Sequence, residues 1–124
     1  MTAFTFDTGA LISLERGRQR MLAVLKAARI DRIPIVVPSM CIAEWWRGRT
    51  DVREKILAAV IVEHTDDSLV RVVGEALARV PRATCIDATA MAVAARRGGA
   101  IFTSDVGDFL RLQTAFPAVR VLSV

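Results

Sequence analysis

Five carboxylates, Asp7, Glu44, Asp87, Asp105 and Asp108, are scattered along the chain, yet each stands at a place where a fold could use it. Asp7 ends the short apolar stretch Phe4-Thr5-Phe6, and Asp105 follows Ala100-Ile101-Phe102-Thr103 after one intervening residue. Asp108 lies one helical turn beyond Asp105 and faces the same way. Glu44 belongs to the helix that leaves the second apolar run, and Asp87 begins an Ala-rich helix. If the apolar runs are parallel strands, these acids meet at the carboxyl ends of the sheet, where reactive groups collect. Two carboxylates ~7 Å apart at an effective dielectric of ~20 repel by roughly 2.4 kcal/mol. Four in mutual range would cost on the order of 10 kcal/mol, as much as a domain's whole stability. Such a site must protonate or bind cations. Oxygen donors without paired His or Cys select Mg²⁺ or Mn²⁺. Two such ions ~4 Å apart can activate a water and stabilise the leaving oxygen in phosphodiester cleavage.

The string Asp7-Thr8-Gly9-Ala10 also occurs around the catalytic carboxylate of retroviral-type aspartic proteases. Those enzymes are all-β and place Asp-Thr-Gly in a loop between strands. Here residues 9–16 continue with helical character, and the chain has no second Asp-Thr-Gly. The protease reading is set aside.

The elements that must position the acids alternate. Residues 3–6 read as a strand, followed by helical spacing of Leu11, Leu14, Met21, Leu25 and Ala28, with a break at Gly17. Residues 33–37 form a wholly apolar run suited to a strand buried on both faces. Pro38-Ser39 opens a helix that closes near Gly48. A helix over 51–59 and a strand over 60–64 follow. Asp66 or Asp67 caps a helix with the stripe Leu69, Val73, Ala76, Leu77 and Val80, stopped by Pro81. Residues 86–97 form the Ala-rich helix, ended by Gly98-Gly99, and Ala88, Ala92 and Ala95 allow it close to the sheet. A strand at 100–103, a helix at 106–112 and a strand at 119–122 complete the chain. This pattern predicts a single α/β domain over 1–124, with three α/β/α layers and a mostly parallel sheet of four or five strands.

Length and composition agree with one domain. The chain has 124 residues, 53% of them hydrophobic, enough for a core without staples. No apolar run approaches the ~20 residues of a bilayer span. The start MTAFTFD lacks the pattern of a secretory signal, so the expected location is the cytoplasm, with no membrane partner. Cys41 and Cys85 stand apart from other metal ligands and are expected to be small buried hydrophobes in a reducing compartment. The net charge is +4, and all but Lys26 and Lys55 of the 17 basic residues are Arg. Arg pairs bidentately with phosphate or carboxylate, so the bias fits a nucleic-acid or acidic-protein partner, or simply a GC-rich genome.

The segments FTFDTGALISL, VVPSMCIAEWWRG and CIDATAMAVAARRGGAIFTSDVGDFLRL, with the closing VRVLSV, resemble PIN-domain ribonucleases. In length and single-domain layout the chain resembles VapC toxins of type II toxin–antitoxin systems, and the likeness spans essentially the whole sequence. The resemblance implies a metal-dependent endoribonuclease. Asp7, Glu44, Asp87 and Asp105 match the family's acidic quartet, as catalytic groups and metal ligands, and Asp108 matches a further acid near the metal. Thr103 matches a hydroxyl residue that helps to orient the site. The resemblance further implies Mg²⁺ or Mn²⁺, a structured RNA substrate such as tRNA, a homodimer, and inhibition by a cognate VapB-like antitoxin.

Other roles are open to the same residues. Asp7 and Asp87 could be helix N-caps, and Asp105 is expected to cap the helix at 106–112 in part. Asp108 could lie on a solvated face. Glu44 falls in the apolar run Met40–Trp46, where a charge is costly to bury unless paired or metal-bound. Adjacent Trp45 and Trp46 point ~100° apart on a helix, so one belongs to the core and the other to a subunit interface or a base-stacking surface. Arg16, Arg18, Arg20, Arg47 and Arg49 follow the segments that deliver Asp7 and Glu44. They could rim the cleft and hold RNA phosphates, or be plainly solvated. His64 reads as structural. A phosphoacceptor receiver domain also gathers acids and Mg²⁺ at parallel strand ends, but it needs a Lys near the last strand, which is absent here. A catalytically inactive PIN-like module that binds RNA or scaffolds a complex is the non-enzymatic alternative, and the intact acid set opposes it.

Overall fold

Five short strands carry the architecture, and all of them run parallel. The computed structural model describes residues 2–124. In chain order the elements are β1 Phe4–Phe6, α1 Thr8–Glu15, α2 Gln19–Ile30, β2 Ile35–Pro38, α3 Ser39–Trp45, α4 Asp51–Ala59, β3 Ile61–Glu63, α5 Asp67–Arg79, α6 Cys85–Arg97, β4 Ala100–Thr103, α7 Val106–Leu112 and β5 Arg120–Ser123. The sheet order is β3-β2-β1-β4-β5. The chain steps outward from β1 to β3, then returns to the other side of β1 for β4 and β5. The direction therefore reverses between β1 and β4, the point where such sheets bind ligands at their carboxyl edge. Register there pairs Phe6 with Phe102, so Asp7 and Thr103 leave adjacent strands side by side.

Burial follows strand position. Every residue of β2 and β4 is buried, in keeping with their unbroken apolar runs, whereas Ile61 and Val62 of the edge strand β3 are exposed. Helices α2, α3 and α4 pack around α1, and α5 and α7 pack on α6. Helix α6 touches β1, β2 and β4, which its small residues permit: Ala88, Ala90, Ala92 and Ala94 are all buried. Ala95, expected on the same face, is exposed. Gly98 ends α6 in the left-handed conformation at φ 66°. The adjoining Gly99 is needed for space, since a Cβ there would overlap the carbonyl oxygen of Ala3. Asp66 rather than Asp67 caps α5, accepting from the Leu69 N–H at 2.8 Å.

The expected mostly parallel sheet of four or five strands is found, with five strands and every pairing parallel. Some details differ from expectation. Ile33 and Pro34 precede β2, and Pro38 ends that strand while also standing as the N-cap of α3, which Ser39 opens as expected. Cys85 is exposed, because it begins α6 at the carboxyl edge of the sheet, while Cys41 is buried as expected. Trp45 is the core tryptophan. Trp46 is half-buried and lies edge-on to it at 6.0 Å. Among the described residues, no helix is long and apolar enough to cross a membrane.

Candidate active site

Asp7 is the N-cap of α1: its Oδ1 accepts from the Ala10 N–H at 2.9 Å. The same short turn delivers it from the central strand into the interior, where it is 5% exposed. Thr103, fully buried at the end of β4, accepts from the Asp105 N–H at 2.9 Å and so shapes the turn carrying Asp105. Asp105 stands at the N-cap position of α7 but makes no side-chain capping bond, contrary to expectation, leaving its carboxylate free for the cleft. Asp87 lies in the first turn of α6, and the actual cap is Thr84, which accepts from the Asp87 N–H at 3.1 Å.

All five acids line one cleft of about 370 Å³ at the switch point, together with Thr8, Gly9, Cys41, Thr84 and Ser104 among others. Glu44 is exposed there rather than buried in an apolar helix, because α3 turns it toward the opening while Cys41 and Trp45 face inward. Thr8 donates its hydroxyl to Glu44 Oε1 at 2.6 Å. Thr8 and Ser104 are site residues the sequence reading passed over. Their only signal was adjacency to Asp7 and Asp105. Asp108 reaches the cleft but also pairs with Arg111. Among the described residues, no three acidic, His or Cys side chains converge closely enough to form a ready-made cage for an ion. The donors that share the cleft are oxygens apart from the Cys41 sulfur, the chemistry preferred by a hard divalent cation.

Desolvation dominates the electrostatics. Burial raises the Asp7 carboxyl to about 6, the Thr103 hydroxyl and Ala10 N–H draw it partly back, and the charges of Asp87 and Asp105 add smaller upward pushes. Asp87 is also raised, again chiefly by burial, with Asp105, Asp108 and Glu44 contributing repulsion. The expected crowding penalty is thus smaller than supposed. Glu44, Asp105 and Asp108 are exposed, so water screens much of their repulsion. Cys41 is pushed up to about 12, first by burial and then by Asp7 and Glu44, with Thr8 opposing, so it remains a thiol.

The arginines separate into groups. Arg47 folds back on the carbonyls of Ala43 and Trp46, and Arg49 pairs with Glu54 at 3.4 Å. Arg20 donates to the Ser123 carbonyl at 2.8 Å. Arg16 and Arg18 are exposed and make no side-chain hydrogen bond or ion pair among the described residues. His64 is exposed beyond β3 and does not line the cleft.

No protein-family model matches the chain, and no curated protein sequence matches it. Solved structures do. A chain of DNA-bound VapBC from Salmonella typhimurium superposes with a TM-score of 0.73 at 17% identity, covering 99% of this chain and 98% of that one. VapC20 of Mycobacterium tuberculosis, a sarcin-ricin loop cleaving toxin, gives 0.61 at 22% identity, covering 87% and 93%. VapBC-5 of the same organism, a member of the VapBC toxin-antitoxin family, gives 0.59 at 24% identity over all of both chains. With a wholly parallel five-stranded sheet and seven helices among the described residues, this chain has the PIN-domain fold of those structures.

Proposed function

We propose that the chain is an Mg²⁺- or Mn²⁺-dependent endoribonuclease of the VapC toxin type, cleaving RNA phosphodiesters and neutralised by a VapB-like antitoxin. The observation that carries this reading is the meeting of Asp7, Glu44, Asp87, Asp105 and Asp108 in one cleft at the switch point of a parallel sheet. The VapBC and VapC structures of the same fold support it, VapC20 being itself a sarcin-ricin loop cleaving toxin. By the same likeness the chain acts as a cytoplasmic homodimer on a structured RNA such as tRNA.

When bound, a divalent cation supplies Lewis acidity toward water and the phosphoryl oxygens and offsets the negative charge of the site. Asp7, Asp87 and Asp105 are the residues that would hold it, with Asp108 at the margin. Asp7 is the most firmly placed, fixed by its cap bond and buried beside Thr103. Its raised value means that cation binding below about pH 6 must displace a proton. Thr103 sets the backbone of Asp105, and Thr8 holds Glu44 toward the opening, where it can orient the attacking water.

The test is incubation of wild type and Asp7→Asn with total RNA, with Mg²⁺ and with EDTA. Asn is nearly isosteric and caps a helix as well as Asp does, so the fold should survive. Cleavage by wild type alone, abolished by EDTA, is the expected result, and cleavage retained in Asp7→Asn would refute the assignment. Binding of RNA without cleavage by wild type would favour the inactive RNA-binding module instead.

A further inference from the structure

A second groove, of about 590 Å³, adjoins the acidic cleft and is lined by Gly9, Ile12, Arg16, Arg18, Arg20 and Ser104, with other residues that include Val124 just after β5 but no acidic side chain. Gly9, Ile12 and Ser104 also line the acidic cleft, so the two depressions share a wall. At that wall Ser104 packs directly against Gly9, whose lack of a side chain makes room for it: a Cβ there would overlap the Ser104 side chain. A further groove of about 490 Å³ shares Arg16 and Ile12 and is also lined by Arg47 and Arg53, but it contains Glu15 and Glu44. There Glu15 already accepts from the Trp45 indole at 2.8 Å and pairs with Arg53 at 2.9 Å. Arg16 thus lines both grooves, whereas Arg18 and Arg20 line only the first, where no acidic side chain opposes them.

Resting on the nuclease reading above, we infer that a single RNA strand crosses the wall that the two depressions share at Gly9, Ile12 and Ser104, with Arg16 and Arg18 gripping phosphates next to the one at the acids. A ligand spanning both depressions must present an anion to a cation-loaded acidic pocket and further anions to arginine forks. A polynucleotide does this with one repeated group. Arg16 and Arg18 flank Gly17 in the α1–α2 turn, which the left-handed Gly17 at φ 69° holds clear of the helices. Arg47 and Arg49, the other arginines near the acids in sequence, bond to Ala43, Trp46 and Glu54, and neither lines this groove.

The experiment measures binding of fluorescent single-stranded oligoribonucleotides across a salt series, in Ca²⁺, to wild type and to Arg16→Ala/Arg18→Ala. Arg29→Ala/Arg49→Ala, which removes equal charge outside the groove, is the control. Losing two phosphate contacts lowers the log–log salt slope by about 1.4 and weakens binding roughly 25-fold near 0.1 M salt. The deficit should vanish for an oligonucleotide too short to leave the acidic cleft, and the control should match wild type. Unchanged slope and affinity in the groove variant would overturn the path. So would an Arg-dependent interaction with poly-glutamate alongside Arg-independent RNA binding, which would assign the groove to an acidic protein segment. Failure of the nuclease reading shows separately, as wild type that cleaves no RNA in Mg²⁺.

Discussion

Replacing Asp7 by Asn should make the metal-free protein more stable at neutral pH. In the folded chain this carboxyl keeps its proton up to about pH 6, against an ordinary value of 3.8. Between those values folding takes up a proton, so stability falls as pH rises, and the penalty is complete above about pH 6. A gap of roughly two units at 1.36 kcal/mol each amounts to about 3 kcal/mol. Asn keeps the cap to Ala10 and the neighbourhood of Thr103 while removing the buried charge. With an unfolding entropy of about 2.1 cal/mol/K per residue, 1 kcal/mol corresponds to about 4 °C in a chain of 124 residues. The expected gain in Tm at pH 8 in EDTA is therefore between about 4 and 11 °C, shrinking to nothing by about pH 4. Thermal unfolding followed by circular dichroism from pH 4 to 8 measures it. Mg²⁺ should then stabilise wild type more than the variant, since it acts on the charge that the variant lacks. Parallel pH profiles for the two proteins would refute the reasoning, because a desolvated Asp7 must separate them.

Other substitutions probe the supports of the site. Gly9→Ala forces a methyl into Ser104, whose Cβ lies 2.9 Å from the added atom, and should cost about 1–3 kcal/mol in urea denaturation while lowering cleavage through the displaced Asp105 turn. Thr8→Val removes the hydroxyl that holds Glu44, an exposed bond of about 1 kcal/mol, so RNA cleavage should drop about five- to tenfold with little change in Tm. Trp45→Phe takes the indole donor from Glu15 and loosens α3 from α1. It should destabilise by about 1–2 kcal/mol, more than Trp46→Phe, as compared by urea midpoints.

Much of the framework is legible in the sequence because its causes are local. The apolar runs at 33–37 and 100–103 announced buried strands, the first beginning two residues later than read, and Gly98-Gly99 announced the end of α6. The order of acids relative to those elements was enough to bring Asp7, Glu44, Asp87, Asp105 and Asp108 to one edge of a parallel sheet. Folding decided how each group is solvated and what it touches. Asp7 is buried and Glu44 exposed, although the sequence around Glu44 is the more apolar. Thr8 meets Glu44 from 36 positions away, Trp45 meets Glu15 from 30, and only their partners separate the free Arg16 and Arg18 from the occupied Arg47 and Arg49. Backbone preference and hydrophobic period act within a turn or two of chain, and those the sequence carries by itself. Desolvation and pairing depend on which distant segments close over a group, and that exists only once the chain has packed.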